Sequence, residues 1–268
     1  MNLFDALNSE ALRLYLFLFF FFLFAVAEKI FPYRKKLFSQ SQRWVTSFCL
    51  VLVSVFLLKF IPGLSSMSVA LLAENNSWGL LSLLALPVWL KIVVSIVVLD
   101  FLIYLQHRLF HKVGLFWRFH RVHHVDRDFD VATGIRFHPL EIILSMLYKC
   151  ICVLALGCPL IAVLAFDILL NVSALFTHSN FQLPEKLDRV LRWVFVTPNM
   201  HRIHHSHLEE ETNSNYGFFI SVWDRLGASY KNDAKEGNAE FTIGLDEYQN
   251  EQPSRLWWSL RLPFSSSS

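Results

Sequence analysis

The chain has 268 residues, of which 54% are hydrophobic and 17% are charged. Soluble domains average about 25% charged residues, so this composition argues against an ordinary soluble protein and indicates an integral membrane protein. The formal net charge of +2 gives no sign of the strong basic field that nucleic-acid binding needs, so we expect no nucleic-acid partner.

Apolar segments at 12–27, 45–61 and 88–105 are predicted to be transmembrane helices. The first segment also resembles a signal peptide, because Ala-Val-Ala at 25–27 is typical of a cleavage site. Acidic residues precede the apolar run, where a signal peptide has a basic segment, so we predict that the helix is retained. Basic residues follow it at 29, 34–36 and 43, and loops rich in such residues are usually cytoplasmic.

The segment at 140–172 is apolar again and is interrupted by Gly157-Cys158-Pro159. We predict a helical hairpin that turns at this tripeptide, because the histidines on both sides of the segment must reach the same face of the membrane. Lys149 argues against this assignment, since a charged group is costly at membrane depth. The stretch at 78–87 either lies at the membrane interface or begins the third span.

From residue 173 onward the chain is mostly polar, and we expect a cytoplasmic cap of amphipathic helices. One of these helices is predicted at 187–195, where apolar residues recur with helical spacing. The serine run at 265–268 is expected to be disordered. The predicted fold is therefore an all-α integral membrane protein, with about three N-terminal transmembrane helices, a helical hairpin and a helical cap.

All eleven histidines lie between residues 107 and 207, and most of them follow a regular spacing. One pair is spaced i, i+4, and two triplets are spaced i, i+3, i+4, so each group lies on one face of a helix. Imidazole is a common ligand of iron, zinc and copper, and eight imidazoles exceed what one first-row metal accepts. The pattern predicts a two-metal site that uses His107, His111, His120, His123, His124, His201, His204 and His205.

The histidine motifs HRLFH, HRVHH and HRIHH resemble those of the fatty acid hydroxylase / sterol desaturase superfamily of membrane di-iron oxygenases. The resemblance also covers RFHPLE at 136–141, FTHSN at 176–180 and the segments 197–206 and 213–230. The order of these motifs is similar to that of bacterial members that also resemble alkylglycerol monooxygenase. The resemblance implies an N-terminal transmembrane region at 1–93, a catalytic domain at 94–230 and a C-terminal tail at 231–268.

The resemblance also implies the cofactors: two iron ions, with O2 as co-substrate. His178 in FTHSN matches a further metal ligand of the family. Some members have another histidine four residues earlier, where this chain has Ala174. His138 matches a histidine that many members have, and it would either bind metal or support a ligand. His207 matches no motif and is expected at the surface.

Other polar residues are candidates for holding the metal-binding imidazoles in place. Asp100 lies one to two turns before His107, and it would either do this or pair with the backbone or with a basic side chain. The other candidates are Asn180, Asn199, Asn215 and Asp224.

The reaction implied by the resemblance is hydroxylation, desaturation or oxidative cleavage of a lipid C–H bond, with the lipid entering from the bilayer. The sequence contains no haem-binding, flavin or iron–sulfur motif, so we expect a separate ferredoxin-like or cytochrome b5-like electron donor. A non-catalytic membrane metal-binding or scaffold protein that retains the histidine motifs is the alternative. A zinc hydrolase is disfavoured, because the glutamate of an H-E-x-x-H motif is missing.

Overall fold

The computed structural model describes residues 3–237 and 241–265. In these residues the fold is helical, and five helices are long and apolar enough to cross a membrane. They correspond to the three predicted N-terminal spans and the two arms of the predicted hairpin. In chain order, the helices up to the end of the hairpin are α1 (Leu3–Ile30), α2 (Gln40–Leu58), α3 (Ser66–Asn76), α4 (Val88–Lys112), α5 (Gly114–His124), α6 (Pro139–Leu156) and α7 (Leu160–Thr177).

The predicted hairpin turns at the expected tripeptide. Helix α6 ends at Leu156 and is capped by Gly157, which has a φ of +68°, and Pro159 precedes the first residue of α7. A Cβ atom on Gly157 would lie 2.3 Å from the carbonyl oxygen of Trp78, so both the backbone conformation and the close approach require glycine here. Lys149 is accommodated because its Nζ lies 2.7 Å from Oδ1 of Asp167 on the second arm.

Helix α7 is the central element of the bundle, because it packs against α1, α3 and α4. Val163, Phe166 and Leu175 are among its fully buried side chains. This position brings the residues that follow α7 close to the ends of several other helices. The first of those residues is His178.

Helix α3 is an element that the sequence pattern did not predict. It lies in the segment that we expected to be a loop between the second and third spans, and it packs on α6 and α7. Met67 and Ala70 are buried in the cluster that also contains Val153, Cys158 and Val163. The stretch at 78–87 contains a single short 3-10 helix, Leu80–Leu83, before α4 begins at Val88.

The remaining helices are short and form the cap: α8 (Glu185–Leu191), α9 (Pro198–His204), α10 (Glu209–Thr212), α11 (Val222–Leu226) and α12 (Leu256–Arg261). Helix α8 ends earlier than the predicted 187–195, and that prediction is wrong at its C-terminal end. Residues 192–194 form turns, and the backbone N–H of Val196 donates to the carbonyl of Phe219 and not to a residue of α8. Positions 266–268 of the predicted disordered serine run lie outside the described residues.

An ion cluster joins α2 to the segment that follows α5. Nε and one terminal nitrogen of Arg43 donate to the two oxygens of Asp126, at 2.6 and 2.8 Å, and the other terminal nitrogen donates to Asp130 at 2.8 Å. Thr133 also donates to Asp126, at 2.8 Å. Arg43 is only 2% exposed, so this part of the predicted basic loop is a buried structural junction and not a solvated surface.

Candidate metal centre

The three histidine motifs lie on helix ends that converge. His107 and His111 occupy the last turns of α4, and His120 to His124 occupy the last turns of α5. His201 and His204 lie on α9, and His205 follows it directly. His178 caps the C-terminal end of α7. Because α4 and α5 are separated by one residue and α7 is central to the bundle, all of these side chains reach the same region.

Among the described residues, nine histidines form two compact groups. Within each group the potential ligand nitrogens all lie within 4.8 Å of one another. The five-histidine group contains His107, His111, His120, His124 and His204, and the four-histidine group contains His123, His178, His201 and His205. Each H-x-x-H-H motif therefore contributes to both groups.

Hydrogen bonds fix the proton positions of several imidazoles. Nδ1 of His107 lies 2.7 Å from the carbonyl oxygen of Tyr216, and Nδ1 of His204 lies 2.7 Å from the carbonyl oxygen of Ser214. A carbonyl only accepts, so both Nδ1 atoms carry the proton and both Nε2 atoms carry a lone pair when the rings are neutral. These two Nε2 atoms nevertheless lie 3.1 Å apart. Facing lone pairs repel each other unless a cation lies between them.

The four-histidine group has the same arrangement. Nδ1 of His178 and of His123 face the carbonyl oxygens of Ala174 and Arg136, at 2.7 and 3.3 Å, and their Nε2 atoms lie 3.0 Å apart. Two nitrogens bound to one ion at about 2.1 Å and about 90° to each other lie about 3.0 Å apart. The donor set and its spacing therefore fit a metal ion in each group.

The imidazoles are held in the neutral form that binds metal. Burial lowers the pKa of His120 and of His178 to about 3, because the charged imidazolium would lose its hydration. Burial also lowers the pKa of the other histidines on α5 and α9, and neighbouring imidazoles add to the effect. A metal ion therefore meets little competition from protons near neutral pH.

Glu141 is a site residue that the sequence analysis missed. It lies in the first turn of α6, and its Oε1 lies 2.6 Å from Nδ1 of His120. A carboxylate in this position orients the imidazole and increases its basicity towards a metal. The signal in the sequence was the acidic end of the RFHPLE motif, which contains the residue but does not show which histidine it meets.

We expect Glu141→Ala to weaken metal binding by the five-histidine group about 10- to 100-fold, because His120 loses its orienting partner. Glu141→Gln keeps a hydrogen-bond acceptor, so its affinity for metal should lie between that of Glu141→Ala and that of the wild type. The measurement is the metal content of the purified protein during titration with a chelator. Equal retention of metal by Glu141→Ala and the wild type would contradict this role.

Two of the predicted supporting residues position the loop at 214–217. The carboxylate of Asp224 accepts hydrogen bonds from the backbone N–H groups of Tyr216 and Gly217, both at 2.8 Å. The side chain of Asn215 donates to the carbonyls of Met200 and Lys231, at 2.9 and 3.0 Å. The carbonyls of Ser214 and Tyr216 bind two of the imidazoles, so Asp224 and Asn215 act on the site through this loop.

The other three predicted supporting residues have different partners. Asp100 accepts from the indole of Trp223 at 2.8 Å and from the backbone of Ile220, which ties α4 to the cap. Asn180 exchanges hydrogen bonds with the backbone of Arg34, and Asn199 accepts from Arg202. Within the described part of the chain, none of the three is hydrogen-bonded to a histidine of the two groups.

The structure also separates the remaining histidines from the site. His138 lies in neither group: its Nδ1 accepts from the backbone of Leu140 at 3.2 Å and caps α6. Ala174, which replaces a further histidine of some family members, contributes its carbonyl to His178. His207 contacts Asp246 and Glu236. Burial is the largest single effect on its pKa and lowers it, but the hydrogen bonds and charges of the two carboxylates together outweigh burial and raise the pKa.

A cavity of about 350 Å³ leads to the five-histidine group. His107, His120 and Glu141 line one end of it. Its walls are mostly apolar and come from α1, α2, α4, α6, α7 and the segment between α5 and α6. They include Phe17, Val51, Ile103, Ile135, Phe137 and Leu170. A hydrocarbon chain fits this lining, and its carbon atoms would meet the histidines at the end of the cavity.

The chain is similar to several lipid-modifying enzymes. It is 32% identical over 158 residues to ornithine lipid hydroxylase OlsE of Rhizobium tropici, covering 59% of this chain and 46% of that protein. It is 29% identical over 129 residues to alkylglycerol monooxygenase of Caenorhabditis elegans, covering 47% and 24%. It is 29% identical over 186 residues to lathosterol oxidase of Homo sapiens, covering 66% and 60%. The chain thus spans less than two thirds of the length of each of these relatives.

No solved structure shows significant similarity to the chain. The family model described as fatty acid hydroxylase matches residues 92–229, just over half of the chain. The matched region begins within α4 and contains all nine histidines of the two groups. The resemblance read from the motifs is confirmed, and the chain belongs to the fatty acid hydroxylase family.

Proposed function

We propose that the protein is a membrane-bound, non-haem di-iron oxygenase that uses O2 to hydroxylate, desaturate or oxidatively cleave a lipid. The observation that carries this proposal is the pair of neutral histidine groups, one of which lines the end of an apolar cavity between helices that are long and apolar enough to cross a membrane. The relatives support it, since by name they are a hydroxylase, a monooxygenase and an oxidase of lipids and sterols.

The chain's own residues would bind and orient the reactants. The five-histidine and four-histidine groups would each hold one iron ion, and these ions would supply the oxygen activation and the redox chemistry. The apolar walls would exclude water and hold one carbon of the lipid beside His107 and His120. Tyr216, Ser214 and Glu141 would keep the imidazoles in the tautomer that binds metal.

We propose further that the cap and the metal centre face the cytoplasm. The basic residues between α1 and α2 support this orientation, because loops rich in lysine and arginine stay on the cytoplasmic side. Lys35 is exposed in this loop, and Lys36 is partly exposed.

A separate electron donor, ferredoxin-like or cytochrome b5-like, would dock on the same face. A cleft of about 120 Å³ there is lined by Arg34, Lys35, Lys36 and Arg127 together with the acidic Asp128, so the lining carries a net positive charge that suits an acidic protein. Phe129 lies at the base of this cleft and stacks on His178 with ring centroids 5.4 Å apart. It would provide a short path for electrons from the donor to the four-histidine group.

The test compares the lipids of host cells that carry the gene with those of cells that lack it, grown under ¹⁸O₂. We expect a labelled or newly unsaturated lipid that depends on the gene and disappears in the His123→Ala variant. His207→Ala is the matched control, because this histidine lies outside both groups, and it should leave the product unchanged. A protein that holds its metal but changes no lipid under any growth condition would instead be the non-catalytic metal-binding scaffold.

A further inference from the structure

The end of the cavity remote from the histidines is charged. Among the described residues that line the cavity, Arg13, Lys149 and Asp167 are the charged groups at this end, and the carboxyl group of Glu141 lies at the histidine end. Lys149 and Asp167 lie on the two arms of the hairpin, and Arg13 lies on α1. The cavity therefore joins the candidate metal centre to a second polar region within the helical bundle.

Two cations share one carboxylate in this region. Nζ of Lys149 lies 2.7 Å from Oδ1 of Asp167, and a terminal nitrogen of Arg13 lies 3.1 Å from Oδ2. The hydroxyl of Ser66 donates to the same Oδ2 at 2.8 Å. Both oxygens of Asp167 thus have partners, and the three charged groups together carry one excess positive charge.

This excess charge is poorly hydrated. The side chain of Asp167 is 4% exposed, that of Lys149 is 11% exposed and that of Arg13 is 28% exposed. A single basic residue would neutralise the aspartate, so the second cation is a cost to the fold unless a further anion compensates it. Both cationic side chains, Arg13 and Lys149, line the cavity that we propose for the lipid.

We propose that Arg13 and Lys149 bind the anionic group of the lipid, a carboxylate or a phosphate, while its hydrocarbon chain extends towards His107 and His120. This inference rests on the proposed function, because it assigns the substrate class of the same cavity. Asp167 holds the two cations in position, and Ser66 holds Asp167 through its hydrogen bond. A lipid without an anionic group would leave the excess charge uncompensated.

The fold also sets the distance between the two ends of the cavity. Glu141, Ser145 and Lys149 line it from successive turns of α6, at i, i+4 and i+8. Eight residues of helix correspond to about 12 Å. Carbon–carbon bonds are about 1.5 Å long and zigzag in an extended chain, so roughly ten of them cover this length. The reacting carbon therefore lies about ten bonds from the anionic group.

The test measures binding to the purified full-length protein, loaded with metal, in detergent without O2. Radiolabelled palmitate is compared with radiolabelled hexadecanol, which has the same chain without the charge. Dioleoyl phosphatidic acid and dioleoylglycerol serve as competitors that differ by the phosphate. We expect the wild type to prefer the anionic member of at least one pair about tenfold or more, since hydrogen bonds to charged groups are the strong ones. The pair that shows the preference identifies carboxylate or phosphate as the ligand.

Variants at Lys149 connect the preference to the site. Lys149→Met should remove most of the preference for the anionic ligand while leaving the affinity for the neutral ligand unchanged. Lys149→Arg should retain the preference. Lys91→Met is the matched control, since this lysine lies on α4 and does not line the cavity. If Lys149→Met does not retain metal and is therefore misfolded, the same binding measurements are made on Arg13→Gln instead. No anionic preference in the wild type, or an equal loss of both affinities in Lys149→Met, overturns the inference.

The two proposals fail in different ways. Binding is measured without O2, so an anionic preference without any lipid product under ¹⁸O₂ would refute the oxygenase and leave the anion site standing. A lipid product without an anionic preference would refute the anion site and leave the oxygenase standing.

Discussion

Replacing His123 and His204 together with alanine is expected to reduce the bound metal from two ions per chain to nearly none, because each group loses one ligand. Lipid oxidation should fall on the order of 10³-fold or more, since a catalytic metal supplies several kcal/mol of transition-state stabilisation. The measurements are the metal content of the purified protein and the yield of ¹⁸O-labelled lipid. His207→Ala serves as the control and should retain both ions.

The single variants test how the motifs are divided between the groups. His204→Ala should lose the ion of the five-histidine group and keep the other, and His123→Ala should do the reverse. Each single variant should therefore bind about one ion per chain. Loss of both ions in either single variant would contradict the division into two groups.

The histidine spacing predicts most of the candidate metal ligands but not how they are divided between the two groups. The i, i+3, i+4 pattern places His120, His123 and His124 on one face of a helix, which is where α5 presents them. Only the packing of α9 against the end of α7 shows that His123 joins His201 and His205, whereas His120 and His124 join His204. Local periodicity contains no information about the position of a helix from another part of the chain.

The side-chain pairs that could not be predicted from the sequence are contacts between distant segments. Glu141 meets His120 across 21 residues, through the start of a different helix, so no local pattern reports the pair. Asp100 is a similar case, because its partner Trp223 lies in the cap. The predicted spans and the turn at Gly157 follow from properties that a single segment carries, namely apolar length and a residue that tolerates positive φ.

Replacing Arg43 with methionine is expected to lower the free energy of unfolding by about 3–5 kcal/mol, because it leaves the buried Asp126 without its cation and Asp130 with Lys36 alone. Asp126 and Asp130 are 2% and 0% exposed, and both accept hydrogen bonds from this guanidinium. Burial alone would raise the pKa of Asp130, but Arg43 and Lys36 hold it below its usual value, so the carboxylate is charged in the folded protein.

The matched control for this variant is Lys35→Met, the same type of substitution at an exposed basic residue of the neighbouring loop. It should change the free energy of unfolding by no more than about 0.5 kcal/mol. Both variants are compared by unfolding in detergent and by metal content. Because Asp126 lies two residues after His124 of α5, Arg43→Met should also release metal more readily than Lys35→Met. Equal behaviour of the two variants would show that α2 does not hold the metal-binding segment through this junction.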